Sequence, residues 1–194
     1  MLKLILQKGK IDMNFFFEWV IDLIYRGATS TKRIRIILTP LVGTFFICFI
    51  LLVIFLSFYM DRFLELPKFI SRRYRIALSL PFLVIGFSLW IWSVCRFLKK
   101  KGTPVPINPP PKLVTDGPYA YTRNPMMTGI IFMLLGIGIF FGSISLVFIF
   151  TPMLVFLLFL GLKYIEEPEL EKRLGKEYLE YKKRTPMIIP MIHR

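Results

Sequence analysis

From Ile36 to Met60 the chain runs without a single charged residue. A helix rising 1.5 Å per residue needs about 20 apolar residues to cross the roughly 30 Å hydrocarbon core of a bilayer, and this run is long enough. Lipid offers backbone N–H and C=O groups no partner, so a helix must satisfy them internally. Three more runs follow: Ile76–Leu98, with Arg96 near its end able to snorkel to headgroups; Met126–Phe141, which is short; and Ile144–Ile165, which Pro152 should kink. Only the turn at Gly142 and Ser143 separates the last two. The chain is 55% hydrophobic with a mean hydropathy of +0.61, and its charges gather between the apolar runs. The pattern predicts an all-α polytopic membrane protein of four to five transmembrane helices.

The uncertain fifth helix is Asn14–Tyr25. Glu18 and Asp22, four apart, share one face, and aromatic and aliphatic residues cover the rest. The segment reads as an interfacial or partly inserted helix, with a full span as the second reading. Met1 to Lys10 is basic, but its apolar stretch is too short for a signal-peptide core.

The formal net charge of +14 sits beside the apolar runs rather than along a soluble face, so anionic headgroups are the expected partner and nucleic acid is not. Four spans bring the Lys99–Arg123 connection and the C-terminal tail to one side of the membrane. Both are basic, which makes that side cytoplasmic by the positive-inside rule. The Asp61–Arg75 loop, with Arg62, Lys68, Arg72, Arg73 and Arg75, runs against the rule. The tail from Glu166 to Arg184 has an amphipathic helical pattern through Leu170, Leu174, Tyr178 and Tyr181, which Gly175 should interrupt. Glu177, Glu180, Lys182, Lys183 and Arg184 read as its solvated or headgroup-facing side, and Met187–Pro190 as an apolar run folding back onto the membrane.

Several chemistries lack material. Cys48 and Cys95 lie inside apolar runs with no CxxC pair, and His193 is the only histidine. A metal centre, a disulfide framework and a Ser-His-Asp relay are therefore not expected. Gly136-Ile137-Gly138 has no strand before it, so it reads as close helix packing rather than a dinucleotide loop. Thr103–Pro111, dense in proline, reads as a stiff linker.

Two polar stretches flank the last hairpin and meet at one end of it: Lys112 to Pro125, and Glu166-Glu167-Pro168-Glu169 with the helix after it. Gly117 permits a sharp turn, and Tyr119 and Tyr121 offer aromatic faces for an adenine ring or a sulfonium. Arg123 can fork onto a carboxylate, and Glu166 and Glu167, at a membrane boundary, call for a cation. This set suits S-adenosylmethionine. Each residue also has a plainer account: interfacial belt tyrosines, a headgroup-anchoring Arg123, and glutamates paired with Lys163 or Arg123.

The pattern Leu113-Val114-Thr115-x-Gly117-Pro118-Tyr119-x-x-x-Arg123-Asn124-Pro125, an apolar hairpin, Glu166-Glu167, Gly175-Lys176-Glu177-Tyr178-x-x-Tyr181 and Arg184-x-Pro186 resembles the isoprenylcysteine carboxyl methyltransferase family, relatives of the phospholipid methyltransferases. The small size points to a prokaryotic, archaeal member. The resemblance implies a C-terminal helical region that encloses the cofactor. It divides the chain into N-terminal membrane helices, 1–98, and a cofactor-binding catalytic region, 99–194. It implies that Lys112, Leu113, Val114, Tyr119, Asn124, Pro125, Met126 and Met127 line the S-adenosylmethionine site, with Gly117 shaping the turn and Glu166 closing it. Arg123, Glu166 and Glu167 are the expected catalytic residues, with no metal. Membrane lipids are the expected surroundings, and a lipophilic small molecule or lipidated peptide entering sideways from the bilayer is the expected substrate. The expected location is the cell membrane, with the catalytic side cytoplasmic and S-adenosylhomocysteine as product. Asn124 stands where many relatives have histidine. Leu162 stands where the eukaryotic prenylcysteine enzymes carry arginine, one turn before the glutamate matching Glu166. Carboxyl methylation ranks first, phospholipid amine methylation second, and a non-enzymatic scaffold is the reading from a different class.

Overall fold

The computed structural model describes the backbone of residues 2–188 and the side chains of residues 15–188. Of the residues named above, Met1, Pro190 and His193 lie outside that range, as do the side chains of Lys10 and Asn14. The order is α1 (Leu2–Ala28), α2 (Lys32–Phe63), α3 (Arg72–Lys99), a 3-10 turn (Gly117–Ala120), α4 (Pro125–Phe141), α5 (Thr151–Gly161), α6 (Glu167–Leu174) and α7 (Lys176–Arg184). Two π turns, Leu146–Phe150 and Leu162–Glu166, join α5 and α6 into one continuous apolar helix from Leu146 to Leu174. Each π turn runs directly ahead of a proline one or two residues on, Pro152 or Pro168. Proline cannot donate to the carbonyl four residues back, and a local π adjustment accommodates the loss. The kink expected at Pro152 thus takes the form of a wider turn.

Among the described residues, three helices are long and apolar enough to cross a membrane: α2, α3 and Leu146–Leu174. The shorter apolar α4 lies among them. The chain is therefore an all-α polytopic membrane protein. The first two runs lie within α2 and α3, which extend past them; the third begins one residue after α4 and ends with it, and the fourth begins two residues before the Leu146–Leu174 helix and ends inside it. α1 does not meet the same measure among the described residues. It packs against the second π turn and α6, with Phe17 stacked on Tyr164 at 5.7 Å and Lys172 bonded to Asp22 at 2.5 Å.

The densest interface is α3 against α4. Gly86 and Gly129 face each other so closely that a Cβ on either would lie 2.7 Å from the other's carbonyl oxygen. Gly136 is held as tightly against Leu83, and Gly138 against Val147. The small-residue reading of Gly136 and Gly138 is thereby explained: removing side chains lets helices approach and gain dispersion contacts that lipid cannot replace. Ile130, Leu134, Leu146 and Leu154 form the buried apolar centre where α4 meets the returning helix, and Phe46, Ile50, Ile54 and Phe58 of α2 pack on it. Elsewhere α2 and α3 present large exposed apolar side chains, as lipid-facing helices do.

Gly142, at φ +64°, ends α4 in the left-handed conformation and starts the return. Asp61 at the end of α2 accepts the backbone N–H of Ser145 at 2.9 Å, and Ser143 Oγ accepts that of Leu146 at 3.1 Å. Arg75 Nη1 donates to the Phe141 carbonyl at 3.1 Å. This gives at least one of the basic residues that run against the positive-inside rule a structural task, since it satisfies an orphan carbonyl at a helix end.

Candidate functional site

The hairpin returns the chain to the level where α4 began, so the Lys112–Pro125 stretch and the Glu166–Glu171 stretch share one end of the molecule. At Gly117 φ is +65°, and a Cβ there would lie 2.6 Å from Arg96 Nε and 3.2 Å from Trp92 Nε1. Both the conformation and the space demand glycine. Arg96 does not reach outward to headgroups; it bonds Asp116 at 2.8 Å and closes α3 onto this turn. The ring of Tyr119 meets Phe97 edge-to-face at 5.3 Å and is buried. Burial pushes its hydroxyl well above the ordinary tyrosine value, and a hydrogen bond with Ser93 opposes that shift. Its carbonyl accepts the Tyr181 hydroxyl at 2.7 Å. Tyr119 thus clamps the loop between α3 and α7, while Tyr121 stays exposed.

Arg123 and Glu167 form an ion pair whose side chains are only 9% and 5% exposed. Such burial is tolerable because both charges are compensated. Glu167 also takes Lys182 at 2.6 Å, and Lys182 bridges on to Glu171 at 2.8 Å. Arg123 Nη1 lies 3.4 Å from the Tyr178 hydroxyl. Burial raises the Tyr178 and Tyr181 hydroxyls well above their ordinary value; the first accepts from Arg123 and the second donates to the Tyr119 carbonyl. Arg173 bonds Glu169 at 2.7 Å, one helical turn away.

Glu167, Glu169 and Glu171 therefore each hold a cation. Glu166, half-buried beside them at the end of the second π turn, has no hydrogen bond or ion pair among the described residues. Arg123 Nε is buried and also without an acceptor. An unengaged carboxylate at Glu166 and an unengaged buried donor at Arg123, whose stretch also holds the Gly117 turn, are groups that would suit a polar zwitterion such as S-adenosylmethionine.

A strap from Thr185 to Ile188 lies across the start of α4. The Arg123 N–H donates to the Pro186 carbonyl at 2.8 Å, and Asn124 Nδ2 to that of Met187 at 3.1 Å. Thr122 Oγ1 reaches both the Met187 and Ile188 carbonyls, and Thr128 Oγ1 the latter, all at 3.1 Å. Met187 and Ile188 of the apolar run thus lie against the start of α4.

Of the residues singled out in the sequence, Arg123 and Glu167 come together directly. Tyr119 joins them through α7, and Asn124 and Pro125 begin α4 beneath the strap. Val114 and Pro125 are buried, Leu113 and Gly117 half-buried, and Lys112 exposed. Met126 and Met127 pack on the apolar centre. Leu162 is buried in the π turn. Lys182, on the face expected to be solvated or headgroup-facing, is 36% exposed and is also tied to Glu167 and Glu171. In the sequence Tyr178 and Tyr181 stand out by helical spacing and as part of the family pattern, not by what their hydroxyls do. Their hydroxyl roles had one sequence signal, that a buried tyrosine needs a polar partner.

The pattern that defines a family described as phospholipid methyltransferase matches residues 74–177 of this chain, more than half of its length. That stretch runs from the start of α3 to the start of α7 and takes in Arg123, Asn124, Glu166 and Glu167. No curated protein matches the sequence.

Proposed function

The chain belongs to the phospholipid methyltransferase family, and from that premise we propose that it methylates a lipid-like substrate at the membrane boundary, with S-adenosylmethionine as donor. The single observation that carries the reading is the buried Arg123–Glu167 pair, which welds the connecting loop to the returning helix and leaves Glu166 free beside them.

Bound there, S-adenosylmethionine supplies an electrophilic methyl group for in-line displacement, leaving S-adenosylhomocysteine. Glu166 would accept hydrogen bonds from the cofactor's amine or ribose, and Lys112, Leu113, Val114, Gly117, Tyr119, Asn124, Pro125, Met126 and Met127 are the residues that would hold the rest of it. Arg123 and Glu167 hold both sides at fixed separation and help exclude water, so the chain's main task is alignment. The substrate tail stays in the bilayer and approaches between helices.

A substrate carboxylate, such as that of a prenylated cysteine, arrives already ionised near neutral pH and asks no base of the enzyme. This suits a chain whose only histidine is His193 and whose Asn124 amide is engaged on the strap. Amine methylation of a phospholipid is the second reading. It is favoured by the family match and by Glu166, an unpaired carboxylate able to take the ammonium proton. Membranes supplied with methyl-labelled cofactor distinguish the two. Label released as volatile methanol by mild base marks an ester, whereas base-stable label in the phospholipid fraction rejects carboxyl methylation in favour of the amine. Calorimetry with S-adenosylhomocysteine in detergent tests the shared premise. No heat at millimolar ligand would leave a scaffold rather than an enzyme.

A further inference from the structure

We propose that Arg35, on the inner face of α2, binds an oxyanion of the methyl acceptor, a carboxylate or a phosphate, at the end of the molecule where Glu166 stands. The inference rests on the methyltransferase reading and adds a substrate-binding residue from outside the stretch that the family pattern matches.

Arg35 immediately precedes the uncharged run of α2, where hydrocarbon begins. It is half-buried, whereas Ile34, Ile36 and Ile37 around it are 47%, 58% and 64% exposed. The charge therefore faces inward and the isoleucines face lipid, the reverse of a side chain that snorkels to headgroups. Helical register agrees. Phe46 follows about three turns later and Val53 about five, so both share the face of Arg35. Phe46 packs on the apolar centre and Val53 is buried.

An arginine stays charged, so a desolvated guanidinium calls for an acceptor. Arg35 Nε is buried and has none, and among the described residues the side chain makes no hydrogen bond or ion pair. The other half-buried cations there are all engaged: Arg75 on the Phe141 carbonyl, and Arg96, Arg123, Arg173 and Lys182 on carboxylates. The carboxylates show the same pattern. Asp22, Asp61, Glu167, Glu169 and Glu171 are engaged, and Glu166 is not.

These two unpaired charges lie near one height. α2 and the returning helix are antiparallel and tied at the far end by the Asp61–Ser145 bond. Arg35 lies about 39 Å of helix before Asp61 at 1.5 Å per residue, and the same length along the returning helix leads to about Glu171, roughly 8 Å beyond Glu166. The α1 contact agrees: Lys172 Nζ lies 4.8 Å from the Tyr25 ring, in the last turn before α1 ends at Ala28 and α2 starts at Lys32. The proline-rich loop reaches the helices on either side of Arg35. A Cβ on Gly27 would lie 3.4 Å from Ile107, and one on Gly43 3.8 Å from Val105. That loop continues to Tyr119 and Arg123. An amphiphile can therefore place an oxyanion on the guanidinium fork and its reacting atom toward Glu166, with its tail in the bilayer beside α2.

Binding and turnover by the full chain in detergent test this with two amphiphile pairs. One is an N-acetylated prenylcysteine against its carboxamide, and the other is phosphatidylethanolamine against diacylglycerol. The member with the oxyanion should be preferred by about tenfold or more in at least one pair, which identifies the oxyanion as carboxylate or phosphate. Arg35→Gln abolishes that preference. It raises the acceptor KM by about tenfold and leaves kcat within about threefold, the signature of lost uniform binding. S-adenosylhomocysteine binds this variant as it binds the wild type. Arg33→Gln, an exposed change on the opposite face, leaves every value where it was. A preference that Arg35→Gln preserves overturns the proposal. So does a lower melting temperature with an unaltered KM, which would make Arg35 a headgroup anchor. A wild type that binds S-adenosylhomocysteine but does not discriminate within either pair overturns this inference alone. A wild type that binds no S-adenosylhomocysteine overturns the methyltransferase reading with it.

Discussion

Glu167 receives two cations from different parts of the chain, Arg123 from the loop before α4 and Lys182 from α7. Removing its charge strands Arg123 in a place that is 9% exposed. Glu167→Gln should therefore destabilise the protein by about 3–5 kcal/mol, the cost of breaking a buried pair from one side. Lys182→Met should cost much less, because Lys182 is 36% exposed and Arg123 still covers the carboxylate. Thermal unfolding in detergent gives both values, and equal losses would contradict the ranking. The hydrogen bonds to Glu167 and Glu171 raise the Lys182 pKa above its ordinary value of 10.5. Its contribution is then complete below 10.5 and disappears as pH rises through the higher folded value. The melting difference between the wild type and Lys182→Met should accordingly shrink above pH 10.5, and a difference constant with pH would show that Lys182 does not act through its charge. At this scale the sequence was partly legible. An arginine and two glutamates at membrane boundaries had to find partners, and Arg123–Glu167 was among the pairings open. Lys182 was hidden because helical periodicity assigns a residue to a face and does not say what packs on that face.

The helices themselves were the most legible level, because lipid enforces long uncharged runs and leaves the backbone little choice. Their contacts were less so. Small residues announced close packing at Gly136 and Gly138, yet the place where α3 and α4 meet backbone against backbone is Gly86 and Gly129, two isolated glycines that no local pattern links. A methyl group on Gly129 would stand 2.7 Å from the Gly86 carbonyl and 3.0 Å from the Trp90 nitrogen. Neither is a side-chain tip that can swing aside, so Gly129→Ala should force α3 and α4 apart and cost about 1–3 kcal/mol. Gly161, in α5, has nothing within 4 Å of the same position. Gly161→Ala should be neutral or stabilise by up to about 1 kcal/mol, by reducing the freedom of the unfolded chain. Melting temperatures of the two variants that moved in the same direction would refute the packing account. The π turns were not legible: Pro152 signalled a kink, but not that the helix would widen there and again before Pro168 and continue through to Leu174.

For the molecule as a whole, every functional statement depends on an even number of crossings between the proline-rich loop and the returning helix. α3 delivers the chain to the loop, α4 carries it away, and Leu146–Leu174 brings it back, so the Lys99–Arg123 connection and α7 share an end while the Asp61–Arg75 loop occupies the other. Charge alone could not establish this, because both ends are basic. The contacts that decide it are the Arg123–Glu167 pair at one end and the Asp61–Ser145 bond at the other, and neither residue pair is near in sequence. Cys48 and Cys95 are free and lie within α2 and α3, so a background with both replaced by alanine leaves no native thiol. Single cysteines placed at Pro106 and at Glu65, both exposed, should then react with a membrane-impermeant maleimide from opposite faces of sealed vesicles. A third at Lys183, exposed on α7, should behave as Pro106 does. Labelling of Pro106 and Lys183 from different faces would place the loop and the returning helix in different leaflets. Arg123 could then not meet Glu167, and the proposed methyl-transfer site would not survive.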